Sequence, residues 1–174
     1  IIVIESIAKD NIVILLFLTI ILCLLLGMGL PTTANYVVVA SLMAAVLVEV
    51  GAASGFIFPL IAVHLFVFYF GLMADVTPPV GLASYAAAAI SGGDPLRTGM
   101  QAFWYSLRTA ILPIVFLFNH ELLLIGIENI WHGLLVIVTS LIGILIFTSA
   151  TQGWFFNKLR WYEIIIFLFI SISF

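Results

Sequence analysis

Apolar residues run along this chain in long unbroken blocks, separated by short clusters of Gly, Pro, Asp, Thr and Asn. The first block covers residues 11–26 and is cut by Gly27-Met28-Gly29-Leu30-Pro31-Thr32-Thr33. A second covers 34–48 and ends at Glu49 and the small residues 51–55. A third covers 56–73 and runs into GLMADVTPPVG at 71–81. Residues 80–90 form a short block of about 17 Å as helix, roughly half the hydrocarbon thickness of a bilayer. Ser91-Gly92-Gly93-Asp94-Pro95 stops it and restarts the chain, with Asp94 placed to cap the next helix and Pro95 at its first position. Blocks at 101–118 and 133–150 follow, with a mixed loop at 119–132 between them. A last apolar run starts at Ile164. Continuous runs of this kind predict membrane helices, because a membrane barrel alternates polar and apolar positions.

Composition agrees with the pattern. Of 174 residues, 65% are hydrophobic and 7% charged, against about a quarter charged in soluble domains. The class is all-α integral membrane. The net charge of −3 includes no basic patch, which leaves nucleic acid out as a partner. Cys23 stands alone in an apolar run and reads as a small buried hydrophobe. The chain starts at Ile1 and its last run stops at Phe174, so it reads as a piece of a longer membrane protein. Arg97, Arg108, Lys158 and Arg160 place 92–108 and 152–162 on the cytoplasmic side, and the Lys/Arg-free loop 119–132 outside. Trp154, Trp161 and Tyr162 with the two cations make an interfacial girdle.

Two interruptions carry the candidate chemistry. Segment 12–48 is expected to form a re-entrant hairpin with GMGLPTT at its tip, since arms of fifteen or sixteen residues are short for spanning. An ordinary surface turn between two spans is the alternative. Exposed backbone at mid-depth costs several kcal/mol per group unless protein or water satisfies it. A tip at that depth would therefore line a site. The hydroxyls of Thr32 and Thr33 and the amide of Asn35 would then be oxygen donors for an alkali cation, or partners for a carboxylate. The second interruption is a broken helix over 56–91. Pro78 and Pro79 remove two donors and push Thr77 and Pro78 to extended backbone, and Gly71 and Gly81 bracket the break. Carbonyls from Met73 to Thr77 are expected to lose their helical partners. The following helix turns its N-terminal N–H groups into the gap. Paired discontinuous segments point to a secondary-transporter site. A proline kink without a ligand is the alternative.

Asp75 is a carboxylate in this apolar setting and functional by default as ion ligand or proton carrier, with a capping role as the alternative. His64 reads as a buried, hydrogen-bonded histidine, and His120 and His132 as surface groups. Glu49 is expected to end the hairpin at the interface, and Arg108 to anchor beside Trp104 and Tyr105. No nucleophile–base pair, metal-spaced His/Cys cluster or phosphate loop is present, so neither an enzyme nor an ATPase engine is expected.

The stretches GMGLPTTANYVVVASLMA and HLFVFYFGLMADVTPPVGLASYAAAAISGGDPLRTGMQAFWYSLRTAILPIVFLFNHELLLIG resemble the large membrane subunit of tripartite ATP-independent periplasmic (TRAP) transporters, most closely the type fused to its small subunit. The resemblance covers about residues 12–126. The segment ATQGWFFNKLRW resembles the C-terminal extension of those fused permeases. It implies that residues 1–126 form the second inverted repeat of an elevator-type secondary transporter, with hairpin 12–48, broken helix 56–91 and span 101–118. Residues 127–174 would be a C-terminal transmembrane extension. It also implies uptake of small organic acids coupled to a cation, usually Na⁺, with a soluble extracytoplasmic binding protein delivering the substrate. The location implied is the cytoplasmic membrane of a bacterium or archaeon. No cofactor is expected beyond the coupling ion. On that template Gly27, Gly29, Pro31, Thr32, Thr33 and Asn35 fall on the hairpin tip, and Asp75, Thr77, Pro78, Pro79 and Gly81 on the unwound segment. An acidic residue common at the family's hairpin tip is absent from LPTT. The first repeat would lie in a missing N-terminal part, and this chain alone is not expected to transport. Proton coupling through Asp75 and a passive channel are the competing functions.

Overall fold

A computed structural model describes residues 11–173. Among these the chain is helical apart from two two-residue strands. Residues up to His120 form one compact unit and those from Glu121 onward a second.

In the first unit, α1 (Ile12–Gly27) starts at Asn11, whose side chain accepts from the N–H groups of Val13 and Ile14. α2 (Thr32–Ala53) returns beside it. The sequence placed the end of this helix at Glu49; it continues to Ala53. Glu49 is exposed and breaks nothing. Gly51 stays helical because its bare Cα lets the Phe58 ring lie against it. The stop is set by Gly55, which is left-handed at φ 85°. There Phe56 N–H bonds to Gly51 O and Gly55 N–H to Ala52 O, the double closure that ends a helix on a left-handed glycine.

α3 (Leu60–Met73) begins later than the apolar run suggests. Pro59 disfavours helical geometry in the residue before it, and residues 56–59 belong to no helix, Pro59 itself being extended at φ −59° and ψ 136°. After the break, α4 (Leu82–Ser91) ends at left-handed Gly92. Asp94 then caps α5 (Pro95–Thr109) by accepting from Arg97 N–H at 2.8 Å. The block expected as one span over 101–118 therefore starts at Pro95 and is divided, with α6 (Ile111–Phe118) following Ala110. Pro113 accounts for the division, since its ring denies Thr109 O a helical partner four residues on.

The core of this unit lies where α1, α2 and α3 meet. Fully buried positions recur every four residues: Leu15, Thr19 and Cys23 on α1, and Asn35, Val39, Met43 and Leu47 on α2. Ala62, Val63, Phe66 and Val67 of α3 meet both stripes. Each stripe carries small or polar residues at its tip end, the composition that lets membrane helices approach closely. His64 is half-buried, and its Nδ1 lies 2.9 Å from the Tyr36 hydroxyl, as a hydrogen-bonded histidine.

In the second unit, Asn129 caps α7 (Ile130–Gln152) by accepting from His132 N–H, and His132 lies 3.5 Å from Glu121. The loop read as 119–132 thus holds a 3₁₀ turn (His120–Leu123) and yields to helix at Ile130. Left-handed Gly153 ends α7. The girdle segment folds into a small antiparallel hairpin, β1 (Trp154–Phe155) and β2 (Asn157–Lys158). α8 (Trp161–Ser173) begins three residues before Ile164. Among the described residues three helices can cross a membrane by length and composition: Thr32–Ala53, Pro95–Phe118 taken as one, and Ile130–Gln152. α1, with 16 residues, cannot be counted among them. Arms of fifteen or sixteen residues were expected; α1 has 16 and α2 has 22, long enough for a span.

Candidate functional site

The tip of the α1–α2 hairpin is a tight turn. Gly29 and Leu30 donate to Leu26 O at 3.1 Å each. Pro31 stands at the start of α2 with φ −57° and ψ 146°, and no side chain caps that helix. The first N–H groups of α2 have no intrahelical acceptor, so they face outward at the tip with the positive end of the helix dipole. Thr32 is half-buried and Thr33 exposed. Gly29 has nothing within 4 Å of where a Cβ would stand.

Behind this tip the hairpin meets the break. A Cβ on Gly27 would lie 2.3 Å from Ala74 Cβ and 2.5 Å from Asn35 Nδ2. A Cβ on Gly71 would lie 3.3 Å from the same Nδ2. The Asn35 amide therefore sits between two glycine backbones, one from each interrupted segment. It is fully buried, and its Nδ2 donates to Cys23 O at 2.9 Å. Its Oδ1 is buried with no hydrogen-bond partner among the described residues. Cys23 O can only accept, so the amide cannot be turned over to set Oδ1 against it. A buried acceptor left open in this way costs about 1–3 kcal/mol unless something occupies it.

The break itself differs from the sequence expectation. The carbonyls from Met73 to Thr77 were expected to be free; most are re-engaged. Val76 N–H bonds to Met73 O and Thr77 N–H to Ala74 O, three residues apart. Ala83 N–H reaches back from α4 to Asp75 O at 3.2 Å, and Gly81 N–H bonds to Thr77 O. The helix unwinds into successive turns, with donors for Met73 O and Ala74 O from before the prolines and for Asp75 O and Thr77 O from beyond them. The peptide bond between Pro78 and Pro79 is cis. Thr77 Oγ1 donates to Met73 O at 2.6 Å, which leaves both its lone pairs able to accept or to coordinate. Gly81 is left-handed at φ 31° and begins α4 without a side-chain cap. Tyr85 holds the far side of the turn by donating its hydroxyl to Pro79 O.

Of the sequence candidates, Gly27 and Asn35 are brought against the start of the break. Asp75, Thr77 and Pro78 are half-buried along it, Gly81 is buried, and Pro79 is exposed. Gly29, Pro31 and Thr33 stand on the exposed tip. Asp75 takes part in no ion pair among the described residues. Those residues hold no cluster of three or more His, Cys, Asp or Glu; the oxygen groups along the tip and break are amide, hydroxyl and main-chain oxygens together with the lone Asp75 carboxylate. Sequence reading missed Ala74, which touches the hairpin, and the pair Ser84–Gly99. Ser84 is buried with an unpartnered hydroxyl, and a Cβ on Gly99 would lie 3.7 Å from Ser84 Cβ and 3.5 Å from Pro78 Cγ. The small residues at i and i+4 around the break were the available signal.

Comparison with known families gives two matches. Residues 2–148 match a family described as tripartite ATP-independent periplasmic transporter, DctM component. Residues 133–174 match a domain of unknown function, DUF3394. No curated protein and no solved structure matches the chain.

Proposed function

This chain belongs to the DctM-component family of tripartite ATP-independent periplasmic transporters, and from that premise we propose that its hairpin tip and broken helix form one cation site beside the substrate path. The family is a transporter component and not an enzyme family. It acts with a substrate-binding protein and a small membrane component. The chain is thus a membrane permease part, and the finer reading is ours.

In that reading the permease imports small organic acids handed over by an extracytoplasmic binding protein, in the cytoplasmic membrane of a bacterium or archaeon. Residues 1–126 act as one of two inverted repeats that move as an elevator, the other lying in a further part of the permease, and 127–174 form an extension. Sodium is the coupling ion. One observation carries the site: the partnerless Asn35 Oδ1, buried where Gly27 of the tip meets Ala74 of the break. A hard cation takes oxygen donors of this kind, carbonyl and hydroxyl together. Thr77 Oγ1 and the Thr32 hydroxyl, both half-buried, are the candidates to complete the set. The uncapped N-termini of α2 and α4 supply N–H groups and a favourable field for a substrate carboxylate.

The test is thermal unfolding of the reconstituted permease in Na⁺ against K⁺ at matched ionic strength. A ligand at a hundred times its Kd stabilises by about 2.7 kcal/mol, so Na⁺ should raise the midpoint, and Asn35→Leu should remove the increment. Uptake with sodium and pH varied separately completes it. Asp75, half-buried and without an ion pair, supports a second reading in which a proton is the coupling ion. Uptake that persists without sodium and follows pH would replace the first reading with the second. Uptake down a substrate gradient alone, indifferent to both ions, would leave a passive channel.

A further inference from the structure

We propose that the turn between α7 and α8 is a binding site for the phosphate headgroup of an anionic phospholipid. It belongs to the segment matching a domain of unknown function and is separate from the cation site.

α7 is 23 residues long, apolar and largely exposed, as a lipid-facing span is. Lys158 and Arg160 are the two Lys or Arg residues between 121 and 174, and both lie on the turn. Glu121 and Glu128 lie before the other end of α7, while Glu163 stands beside the turn and its Oε2 accepts from the Arg160 main-chain N–H at 2.7 Å, so the turn carries two cations and one carboxylate. No carboxylate side chain forms an ion pair with either cation among the described residues. Arg160 Nη1 donates to the Tyr162 hydroxyl, which orients the guanidinium and leaves its other donors open.

The hairpin register sets Lys158 directly opposite Trp154, so cation and indole share one face at the short spacing of a cross-strand pair. The other face is tied down, because the Phe155 ring packs on Phe167 of α8 with centroids 5.5 Å apart. Trp154 borders α7 through Thr148, Ser149 and Gln152, and Lys158 stands exposed beside it. At the tip, Phe156 is left-handed at φ 55° and 79% exposed. A bulky residue adopts that backbone at a cost of about 1–2 kcal/mol, and here it projects an apolar ring outward. Trp154 and Trp161 are also mostly exposed. Beneath the hairpin is a cavity of about 200 Å³ lined by Thr148, Ser149, Gln152, Trp154, Phe155 and Phe156. It is large enough for a headgroup fragment.

The chemistry matches a glycerophospholipid at the bilayer surface. Lys158 and Arg160 meet the phosphate charge, the Gln152 amide donates from the cavity, the Trp154 N–H sits at glycerol depth, and the rings of Phe155 and Phe156 lie along the upper acyl chains. The positive charge on this turn, by the inside-positive rule, places it at the cytoplasmic leaflet, where anionic lipid is present.

Native mass spectrometry of the detergent-extracted permease, titrated with phosphatidylglycerol and with phosphatidylcholine, reads the site. Wild type should bind phosphatidylglycerol preferentially. Each cation near an anionic surface is worth enough that the pair Lys158→Gln/Arg160→Gln should weaken it roughly thirty-fold at low salt. The swap Lys158→Arg/Arg160→Lys should retain the preference and shows that loss in the first pair is not misfolding. Equal binding of the two lipids by wild type would overturn the proposal. So would a neutral pair that keeps the preference, a charge-preserving swap that loses it, or inorganic phosphate displacing the lipid at equal concentration. Sodium-dependent stabilisation is unaffected by either pair, which separates this result from the cation-site reading.

Discussion

Gly27→Ala is the sharpest test of the junction between hairpin and break. The new methyl would stand 2.3 Å from Ala74 Cβ and 2.5 Å from Asn35 Nδ2. Ordinary contact begins near 3.4 Å, so α1 and α3 must part by about 1 Å, or Asn35 must leave Cys23 O. Neither neighbour is the free end of a flexible chain. Ala74 Cβ is fixed to the backbone and Asn35 is fully buried. Overpacking of a well-filled interior costs about 1–3 kcal/mol, and two clashes at once put this site at the upper end. Alanine regains up to about 1 kcal/mol of helix propensity in a helix interior, less at the last helical residue. A net loss of about 2 kcal/mol is expected, read as a lowered unfolding midpoint in detergent. Gly29→Ala is the internal control, since it adds the same methyl two residues on into open space, and should shift stability by less than about 0.5 kcal/mol. Pairing Gly27→Ala with Ala74→Gly removes the shorter clash and should recover part of the loss. If Gly27→Ala matches Gly29→Ala in midpoint and in transport, hairpin and break do not meet as described.

Three further changes probe the break and its flanks. Gly81→Ala should cost about 1–2 kcal/mol by thermal unfolding, because φ 31° is left-handed backbone that a Cβ opposes. Asp94→Ala should cost about 1 kcal/mol through the lost cap on Arg97 N–H, while Asp94→Asn should recover most of it. Thr77→Val keeps the shape but removes the hydroxyl that bonds Met73 O. It should abolish the sodium-dependent rise in unfolding midpoint, whereas Thr77→Ser should keep it.

The helices and their interruptions were legible because Gly, Pro and Asp stand out against an apolar background. Asp94-Pro95 gave a helix start that the structure places at the same residues. Boundaries within apolar runs were not legible. Glu49 looked like a terminus only because it is charged, while the closure at Gly55 depends on hydrogen bonds to Gly51 and Ala52 that no pattern displays. The interior stripes were hidden for a related reason. When every face of a helix is apolar, hydrophobicity cannot mark the buried one. What marks it here is the opposite signal, the small and polar residues Thr19, Cys23, Gly27 and Asn35 turned inward, as close helix approach in a membrane requires.

The break teaches the complementary lesson. Sequence shows which donors proline removes, and it does not show which donors return. Ala83 N–H closes on Asp75 O across eight residues, a pairing set by how α4 folds back and by the left-handed Gly81, not by local propensity. With most carbonyls re-engaged, the case for a ligand shifts from the main chain to two side chains, Asn35 and Thr77. In Asn35 one amide divides into two roles. Its nitrogen is spent on Cys23 O and lies between the bare backbones of Gly27 and Gly71, which is why both segments need glycine there. Its oxygen is held in place by that same bond and has nothing to accept. The open oxygen, fixed by its own nitrogen at the meeting of hairpin and break, is the observation on which the proposal of a cation site at this junction rests.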